Sequence, residues 1–297
     1  MKAGGTFLVT GGAGSIGLGL VQEILKRYEP KTVRIFDNSD YALARAARRL
    51  SDKRIRCLLG DVEDYRRVEM ALRGVDYVFH LAAIKDIGVT EYNPIETIRV
   101  NVLGTVNLVE AAMKTRPKKL IYISSDKAVE ATTLYGATKF ISEKLTLWGH
   151  QVYYPSVVFS VVRLGNVIET RGNVFEVWHD QVKRGEPITI TDPEARRFFF
   201  NMDKAVDSIL EAFEKARGGE IFVPDMEEFK IADLAPKHSP IRITGLRLGE
   251  KLREKLMTDE ERKRASRSGV LWVIQSEQSE QSDETWKEEK GERQRQR

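Results

Sequence analysis

Apolar runs and helical patterns alternate along the first half of the chain. The runs are short and rich in β-branched residues, which is typical of buried strands, and they lie near residues 6–10, 33–37, 55–59, 76–80, 119–123 and 157–163. The segments between them carry the apolar spacing of amphipathic helices, for example Asn93 to Met113 and Leu134 to Trp148. Apolar strands that alternate with helices predict an α/β fold whose doubly wound parallel sheet is covered on both faces.

A glycine-rich turn follows the first predicted strand directly. Residues 11–17 read Gly-Gly-Ala-Gly-Ser-Ile-Gly and lead into a helical pattern. Gly11 permits a tight turn, Gly14 lets the backbone approach a phosphate, and Gly17 lets the helix pack on the strand. The spacing differs by one residue from the common dinucleotide fingerprint. Strand, turn and helix together still predict the pyrophosphate site of a Rossmann-type domain.

Acidic residues end the next two predicted strands. Asp37 lies twenty residues beyond Gly17, where a carboxylate accepts hydrogen bonds from the adenosine ribose and repels a 2′-phosphate, so it favours NAD over NADP. The arginines within residues 45–49 offer a 2′-phosphate an alternative partner, although a solvated helix face is our preferred interpretation. Asp61 follows the third strand and is suited to hold the adenine amino group.

A second group of chemically active residues lies between positions 125 and 139. Tyr135 and Lys139 are four residues apart, so a helix places them on one face. A lysine ammonium beside a phenol lowers the pKa of the tyrosine and makes it a general base for an alcohol. Asp126 and Lys127 add a second acid and a second base, which a simple alcohol oxidation does not need. The alternatives are an exposed helix pair and a loop ion pair.

Composition narrows the class of protein. The 297 residues are 41% hydrophobic and 31% charged, as in a globular protein with its own core. A net charge of +4 without a basic, aromatic-rich stripe argues against nucleic acid. Cys57 is the single cysteine and is expected to be buried. The four histidines are scattered along the sequence, so no metal site is expected. His80 is interpreted as a hydrogen-bonded residue at a strand end. The chain has no 18-residue apolar run and no signal peptide, which predicts a cytoplasmic protein without a membrane partner.

The pattern becomes less regular after residue 164. It predicts a helix over 203–216, a short strand over 220–223 and a charged helix over 248–256. The predicted organisation is a dinucleotide-binding domain over 1–164, a smaller α/β substrate-binding lobe over 165–274, from which the chain can return to the first domain, and a polar tail over 275–297. Loops of the second half were expected to offer a diphosphate several arginines: Arg163, Arg171, Arg196, Arg197, Arg242 and Arg247.

Taken together, these motifs resemble the extended short-chain dehydrogenase/reductase superfamily. The glycine turn, Asp61, His80-Leu81-Ala82-Ala83, Asn101 to Thr105 and Tyr135-x-x-x-Lys139 carry that resemblance. Within the superfamily the chain is similar to the inverting UDP-N-acetylglucosamine 4,6-dehydratases of polysaccharide biosynthesis. The narrower similarity lies in Ser124–Val129, Val162–Val167, Thr191–Phe199 and Gly245–Leu252. The Asp126-Lys127 pair is its specific element, since retaining dehydratases usually have Asp-Glu there and 4-epimerases lack the acid.

The resemblance implies a set of site residues. Tightly bound NAD or NADP would be held by Gly11, Gly14, Ser15, Ile16, Gly17, Asp37, Asp61, Val62, Ala82, Ala83, Tyr135 and Lys139. The catalytic group would be Ser125, Asp126, Lys127, Tyr135 and Lys139. A UDP-sugar would be bound by Lys85, Asn166, Arg171, Arg197, Arg247 and Glu250. Relatives often pair through helices equivalent to 93–115 and 134–150, so a homo-oligomer is expected, with Val102, Val106 and Val109 as its apolar face. The alternative is that these valines pack on the sheet.

The resemblance also implies a reaction. Tyr135 takes the proton of the sugar 4-hydroxyl as hydride passes from C4 to the nicotinamide, Lys127 removes the C5 proton, and Asp126 protonates the departing 6-hydroxyl. Hydride returns to C6 and Lys127 reprotonates C5 from the opposite face. The scheme requires a neutral lysine and a neutral acid.

Four departures from the family pattern leave the sugar open: residues 130–133, Asp86, Leu248 and the short segment 232–240. Two other functions compete with the dehydratase. One is a UDP-sugar 4-epimerase that uses the same Tyr135, Lys139 and NAD. The other, more remote, is a non-catalytic NAD(P)-sensing protein, although such proteins usually lose the tyrosine or the lysine of the pair.

Overall fold

A computed structural model describes residues 4–153, 156–170 and 172–275. The strands are β1 (Thr6–Thr10), β2 (Thr32–Asp37), β3 (Ile55–Leu59), β4 (Tyr77–His80), β5 (Lys119–Ser125), β6 (Val158–Leu164), β7 (Asn166–Val167), β8 (Ile188–Ile190), β9 (Arg196–Phe200), β10 (Ile221–Pro224), β11 (Glu227–Lys230), β12 (Ile241–Ile243), β13 (Ala265–Ser268) and β14 (Leu271–Ile274). The α-helices are α1 (Ser15–Arg27), α2 (Asp40–Leu50), α3 (Tyr65–Leu72), α4 (Ile87–Tyr92), α5 (Pro94–Ile98), α6 (Gly104–Thr115), α7 (Leu134–Tyr153), α8 (Val174–Lys183), α9 (Met202–Lys215) and α10 (Asp259–Arg264). Nearly all of the predicted tail lies outside the described residues, which end at residue 275.

The main sheet has nine strands in the order β13-β14-β10-β6-β5-β4-β1-β2-β3. Its strands pair in parallel from β3 through β10, and β14 and β13 then add in antiparallel fashion. Apolar residues of α1, α2 and α9 pack on one face, and those of α3 and α6 pack on the other. The predicted doubly wound α/β sheet is confirmed.

The later part of the chain contributes to several sheets. Strands β11-β9-β7 and β12-β8 form two small sheets, which pack with α8 around a separate apolar cluster that includes Trp178 and Phe199. Between these pieces the chain returns to the main sheet as β10, β13 and β14. The small sheets therefore lie on a continuous main sheet, beyond the carboxyl end of β6.

The strand order fixes the position of the cofactor crevice. Strands β1 and β4 are neighbours, and the chain leaves β1 towards β2 but leaves β4 towards β5, so the two connections diverge and open a crevice at the carboxyl ends of this pair. Gly11 has a φ of 63°, and a Cβ on it would lie 2.8 Å from the backbone nitrogen of Ala82, which follows β4. Only glycine allows the first turn to approach the β4 end this closely.

Two predicted helices differ from the structure. The helix over Asn93 to Met113 is α5, a π-helical segment (Arg99–Leu103) and α6 in succession. The charged helix over 248–256 is wrong, because this segment has no regular helix. Gly249 has a φ of 74°, and the carbonyl of Leu252 accepts the backbone N–H of Arg196 at 2.8 Å, so hydrogen bonds to β9 replace those of a helix.

Single residues also depart from expectation. Cys57 is exposed on the edge strand β3 and is not buried. Arg163 is not available to a diphosphate, because it is buried in β6 and paired with Glu143 and Glu261. His80 agrees with its interpretation: its ring nitrogens lie 2.7 and 3.2 Å from two threonine hydroxyls, and burial lowers its pKa to about 3.

The first helix offers a matched pair of glycine substitutions. A Cβ on Gly17 would lie 2.5 Å from the carbonyl oxygen of Gly11, so we expect Gly17→Ala to open the turn and to abolish dinucleotide binding. A Cβ on Gly19, two residues further along α1, would meet only side chains, the nearest being Val206 at 3.3 Å, so Gly19→Ala should leave the turn intact and retain dinucleotide binding. The measurements are NAD titration by fluorescence and thermal unfolding of both variants. Tight NAD binding by Gly17→Ala would contradict the assignment of the turn.

Candidate active site

One large cavity of about 1230 Å³ extends across the carboxyl ends of the parallel strands. Its lining contains every site residue that the resemblance implies and the structure describes, from Gly11 in the glycine turn to Glu250 in the later segment, whereas the diphosphate candidates Arg196 and Arg242 do not line it. Arg171, the remaining candidate, lies outside the described residues. Residues far apart in the sequence are therefore brought together because parallel strands all end at one edge of the sheet.

The glycine turn and Asp37 form one end of this cavity. The two carboxylate oxygens of Asp37 accept the backbone N–H of Ala13 at 3.2 Å and of Ser39 at 3.1 Å, which fixes the acid beside the turn. Asn38, which sequence reasoning missed, donates from its amide to Asp61 at 3.0 Å and joins the two acids. The glycines of the turn leave open the space that a Cβ would fill, so these residues fit a dinucleotide.

The arginines of α2 lie apart from this end. Arg45, Arg48 and Arg49 line a separate cavity of about 330 Å³ that they share with Ala13 and Leu18. None of the three belongs to the lining of the large cavity. This position agrees with the interpretation of a solvated helix face.

Tyr135 and Lys139 are both buried in the first turns of α7, so the alternative of an exposed helix pair is wrong. Lys139 donates from Nζ to the carbonyl of Ile123 at 2.8 Å and lies 4.7 Å from the ring centroid of Tyr122. Burial lowers the pKa of Lys139 to about 7, although the negative charge of Glu143 opposes this. Half of its charge is therefore lost near neutrality.

The electrostatics of Tyr135 differ from the prediction. Burial raises the pKa of its phenol, and the effects that lower the pKa are the charge of Lys127 and a hydrogen bond with Ser125. Lys139 does not supply this effect because its ammonium is directed at the Ile123 carbonyl. In this structure, the cation that lowers the pKa of Tyr135 is therefore Lys127.

Asp126 and Lys127 form a buried ion pair in a single turn of 3₁₀-helix. Asp126 is fully buried, and its Oδ1 accepts the Ser125 hydroxyl at 2.8 Å and the Lys127 ammonium at 3.1 Å. Its Oδ2 is buried and has no hydrogen-bond partner among the described residues. Asp126 also lines the large cavity, and a buried carboxylate oxygen without a hydrogen-bond partner is unusual enough to call for a role.

The charge of Lys127 also differs from what the implied reaction requires. Burial is the largest effect and lowers its pKa, but Asp126, Glu254 and Tyr135 together outweigh it and raise the pKa above the usual value. Lys127 is therefore an ammonium in this structure. Sequence analysis did not single out Glu254, which belongs to the segment predicted as a charged helix. It is 5% exposed, with Oε1 4.0 Å from Lys127 Nζ.

The opposite part of the cavity carries a polar network. Arg197 donates to Glu250 Oε1 at 2.7 Å, Thr191 donates to the same oxygen at 3.1 Å, and the N–H of Arg247 donates to Oε2 at 3.1 Å. Asn166 donates its amide to the carbonyl of Phe198 at 3.0 Å. Arg197 and Glu250, expected as separate ligands, thus hold each other in place.

The lowered pKa of Lys139 gives folding stability a pH dependence. An unfolded lysine, whose pKa is near 10.5, holds its proton between pH 7 and 10, whereas the folded protein releases it near 7. Unfolding then takes up protons, so this residue makes the free energy of unfolding rise with pH across that window. In Lys139→Met we expect this increase of the free energy of unfolding with pH to be lost. The variant should exceed the wild type in stability most at or below pH 7, where the buried lysine is charged. Denaturant unfolding at several pH values measures it; equal slopes in both proteins would contradict the prediction.

Comparisons with known proteins agree with this geometry. Residues 7–276 match the family described as polysaccharide biosynthesis protein. A relative named UDP-N-acetylglucosamine 4,6-dehydratase (inverting), from Campylobacter jejuni, is 35% identical over 266 residues, which are 88% of this chain and 80% of the relative. A relative named UDP-glucose 4-epimerase, from Rickettsia massiliae, is 35% identical over 271 residues, 88% of this chain and 80% of the relative.

A solved structure supports the same placement. The structure of Pen from Bacillus thuringiensis superposes with a TM-score of 0.90 at 34% identity, over 94% of this chain and 90% of that one. No helix among the described residues has the length and apolar character to cross a membrane. With the doubly wound sheet, the glycine turn and the Tyr135–Lys139 pair, the match over residues 7–276 shows that the chain belongs to the polysaccharide biosynthesis protein family.

Proposed function

We propose that the chain is an NAD(P)-dependent nucleotide-sugar 4,6-dehydratase that acts on UDP-N-acetylglucosamine or a related UDP-sugar and inverts C5. One observation carries the proposal: a buried acid–lysine pair, 3.1 Å apart, lies beside the buried Tyr135, and the acid keeps an unpartnered oxygen. The dehydratase relative supports it.

The dinucleotide would be held by the glycine turn, Asp37 and Asp61. When bound, it supplies the redox chemistry, which takes a hydride from C4 of the sugar and gives it back at C6. NAD is favoured, since Asp37 lines the cavity beside the glycine turn and the arginines of α2 line a separate cavity. We expect the cofactor to stay bound through purification, so denaturation of the purified protein should release NAD even though none was added.

Tyr135 would take the proton of the 4-hydroxyl. The Ser125 hydroxyl and the Lys127 charge both stabilise its phenolate, against the cost of burial. Loss of the 4-hydroxyl proton together with the C4 hydride leaves a 4-keto group, which acidifies the proton on C5. Oxidation at C4 therefore prepares the second step.

Lys127 and Asp126 would carry out the elimination. Their ion pair and their neutral pair contain the same number of protons, so one transfer across 3.1 Å converts ammonium and carboxylate into amine and acid. The conversion needs no exchange with solvent, and a buried site disfavours separated charges. The amine then removes the C5 proton, and Asp126 protonates the departing 6-hydroxyl, which leaves as water.

The proton balance assigns a further task to Ser125. Over one turnover Tyr135 gains the 4-hydroxyl proton, Lys127 takes a proton from C5 and returns one to C5, and Asp126 loses its proton to water. Resetting the site therefore requires a proton to pass from Tyr135 to Asp126. The Ser125 hydroxyl contacts both, donating to Asp126 at 2.8 Å and sharing a hydrogen bond with Tyr135, so it supplies the path.

A UDP-sugar 4-epimerase is the second candidate. Tyr135 and NAD suffice for that reaction, and a relative with that name is equally similar. Burial argues against it: epimerisation needs no second acid and base, whereas Asp126 is fully buried and the Lys127 side chain is 16% exposed. Burying both charges is costly and favours a chemical role.

The test is an NMR time course of UDP-N-acetylglucosamine with the purified protein in deuterated water. We expect a 4-keto-6-deoxy product with deuterium at an inverted C5. Lys127→Met should reduce its formation at least ~100-fold, since it removes the C5 base. Lys118→Met, which removes an exposed lysine from a distant strand end, is the control and should retain wild-type activity. A C4 epimer that keeps its 6-hydroxyl would instead support the epimerase.

We also propose that the protein is a homo-oligomer that pairs through α5 and α7. Their exposed apolar side chains include Ile95, Phe140 and Trp148, each at least 44% exposed, whereas Val109, expected in the interface, is buried in the core. Trp148→Glu should shift the sedimentation profile towards the 33.8 kDa monomer, because a charge opposes burial of this face. A wild-type protein that sediments only as the monomer would contradict the pairing.

A further inference from the structure

Glu254 is a buried carboxylate that the proposed reaction does not use. It lies in the irregular segment before α10 and is 5% exposed. Its Oε1 is 4.0 Å from Lys127 Nζ, and its Oε2 is 3.7 Å from Lys251 Nζ. Oε2 has no hydrogen-bond partner among the described residues. A carboxylate buried with so few hydrogen bonds is costly for folding, so its position calls for a role.

The cavities indicate how Glu254 reaches the chemistry. It lines a small cavity of about 80 Å³, together with Lys127, Thr132, Lys251 and others, and it does not line the large cavity. Lys127 lines both. Glu254 therefore lies behind the lysine as seen from the substrate, and it can act on the reaction only through that lysine.

Several neighbouring segments contribute charged or titratable groups around Lys127 and Glu254. The groups that act on Lys127, or are acted on by it, are Asp126, Glu254, Tyr135 and Lys85. Those that act on Glu254 are Lys127, Asp126, Arg197 and Lys251. Among them, Asp126 and Glu254 are the two carboxylates that act on Lys127.

We propose that Glu254 is a positioning residue for the C5 base, whose carboxylate holds the ammonium form of Lys127 and controls the passage of its proton to Asp126. The proposal rests on the dehydratase function. Glu254 stabilises the ammonium and has no such effect on the amine, so it opposes proton transfer to Asp126 before elimination. After C5 is deprotonated, the same attraction stabilises the ammonium of Lys127 until it reprotonates C5.

The test is the pH profile of kcat for Glu254→Gln, which removes the charge and keeps the size. The pair is active with one proton shared between Asp126 and Lys127, so the acidic limb of the profile reports the uptake of a second proton by the pair. Loss of a carboxylate about 4 Å away should move this limb to lower pH by about one unit. KM should change less than about twofold, because Glu254 does not line the substrate cavity. Glu254→Asp, which retains the charge at a greater distance, should move the limb by a smaller amount in the same direction.

Glu130→Gln is the matched control. Glu130 lies three residues beyond Lys127 but is exposed and paired with Lys255, and it is not among the groups that act on Lys127. Its profile should match that of wild type. A folded Glu254→Gln protein whose acidic limb stays in place, or whose kcat falls equally at every pH, would reduce Glu254 to a structural residue and overturn the proposal.

A second readout separates this proposal from the proposed function. Titration of the Lys127 side chain by NMR, assigned through Lys127→Met, does not depend on turnover. A lower midpoint in Glu254→Gln supports the role of Glu254 even if the wild-type protein produces no 4-keto sugar, in which case the dehydratase function alone fails. An unchanged midpoint overturns the role of Glu254 whatever the reaction proves to be.

Discussion

The buried ion network around Arg163 is the interaction on which the site depends. The guanidinium donates to both oxygens of Glu143 at 2.7 and 3.0 Å, to both oxygens of Glu261 at 3.0 Å, and to the carbonyl of Leu256. Arg163 belongs to β6, and its partners belong to α7, to α10 and to the segment before α10. One side chain therefore joins α7 to the sheet and to the later part of the chain. Removing one partner of such a buried pair typically costs about 3–5 kcal/mol, because the other charge remains uncompensated.

The network also reaches the catalytic charges through α7. Tyr135, Lys139 and Glu143 follow one another at intervals of four residues, so they share a face of the helix. Glu143 pairs with Arg163, and its negative charge also opposes the lowering of the Lys139 pKa that burial causes. The same carboxylate therefore fixes the position of the helix and moderates the protonation of its lysine.

Local patterns predicted the parts of the site that depend on local structure. The glycine turn, the acids at strand ends and the Tyr135–Lys139 spacing follow from one strand or one helix, and parallel strands necessarily bring them to the same edge. The segment 248–256 could not be predicted in this way. Its apolar and charged spacing favours a helix, but the carbonyl of Gly249 accepts the Thr132 hydroxyl at 2.6 Å, and Lys251 donates to the carbonyl of Val129 at 2.5 Å. Contacts with a loop more than a hundred residues away decide its conformation, and Glu254 is buried as a result.

That loop connects the two parts of the chemistry. It begins at Asp126 and Lys127 and ends at the first turn of α7, and Thr132 and Glu130 bind the later segment through Gly249 and Lys255. The turn that departs from the usual family pattern is therefore fixed by contacts that the chain supplies elsewhere. The base proposed at Lys127 alternates between ammonium and amine, so it needs neighbours whose positions do not change with its charge. The segment holding Glu254 is bound both to this loop and, through the carbonyl of Leu256, to Arg163, so the ion network that positions the tyrosine also positions the carboxylate behind the lysine.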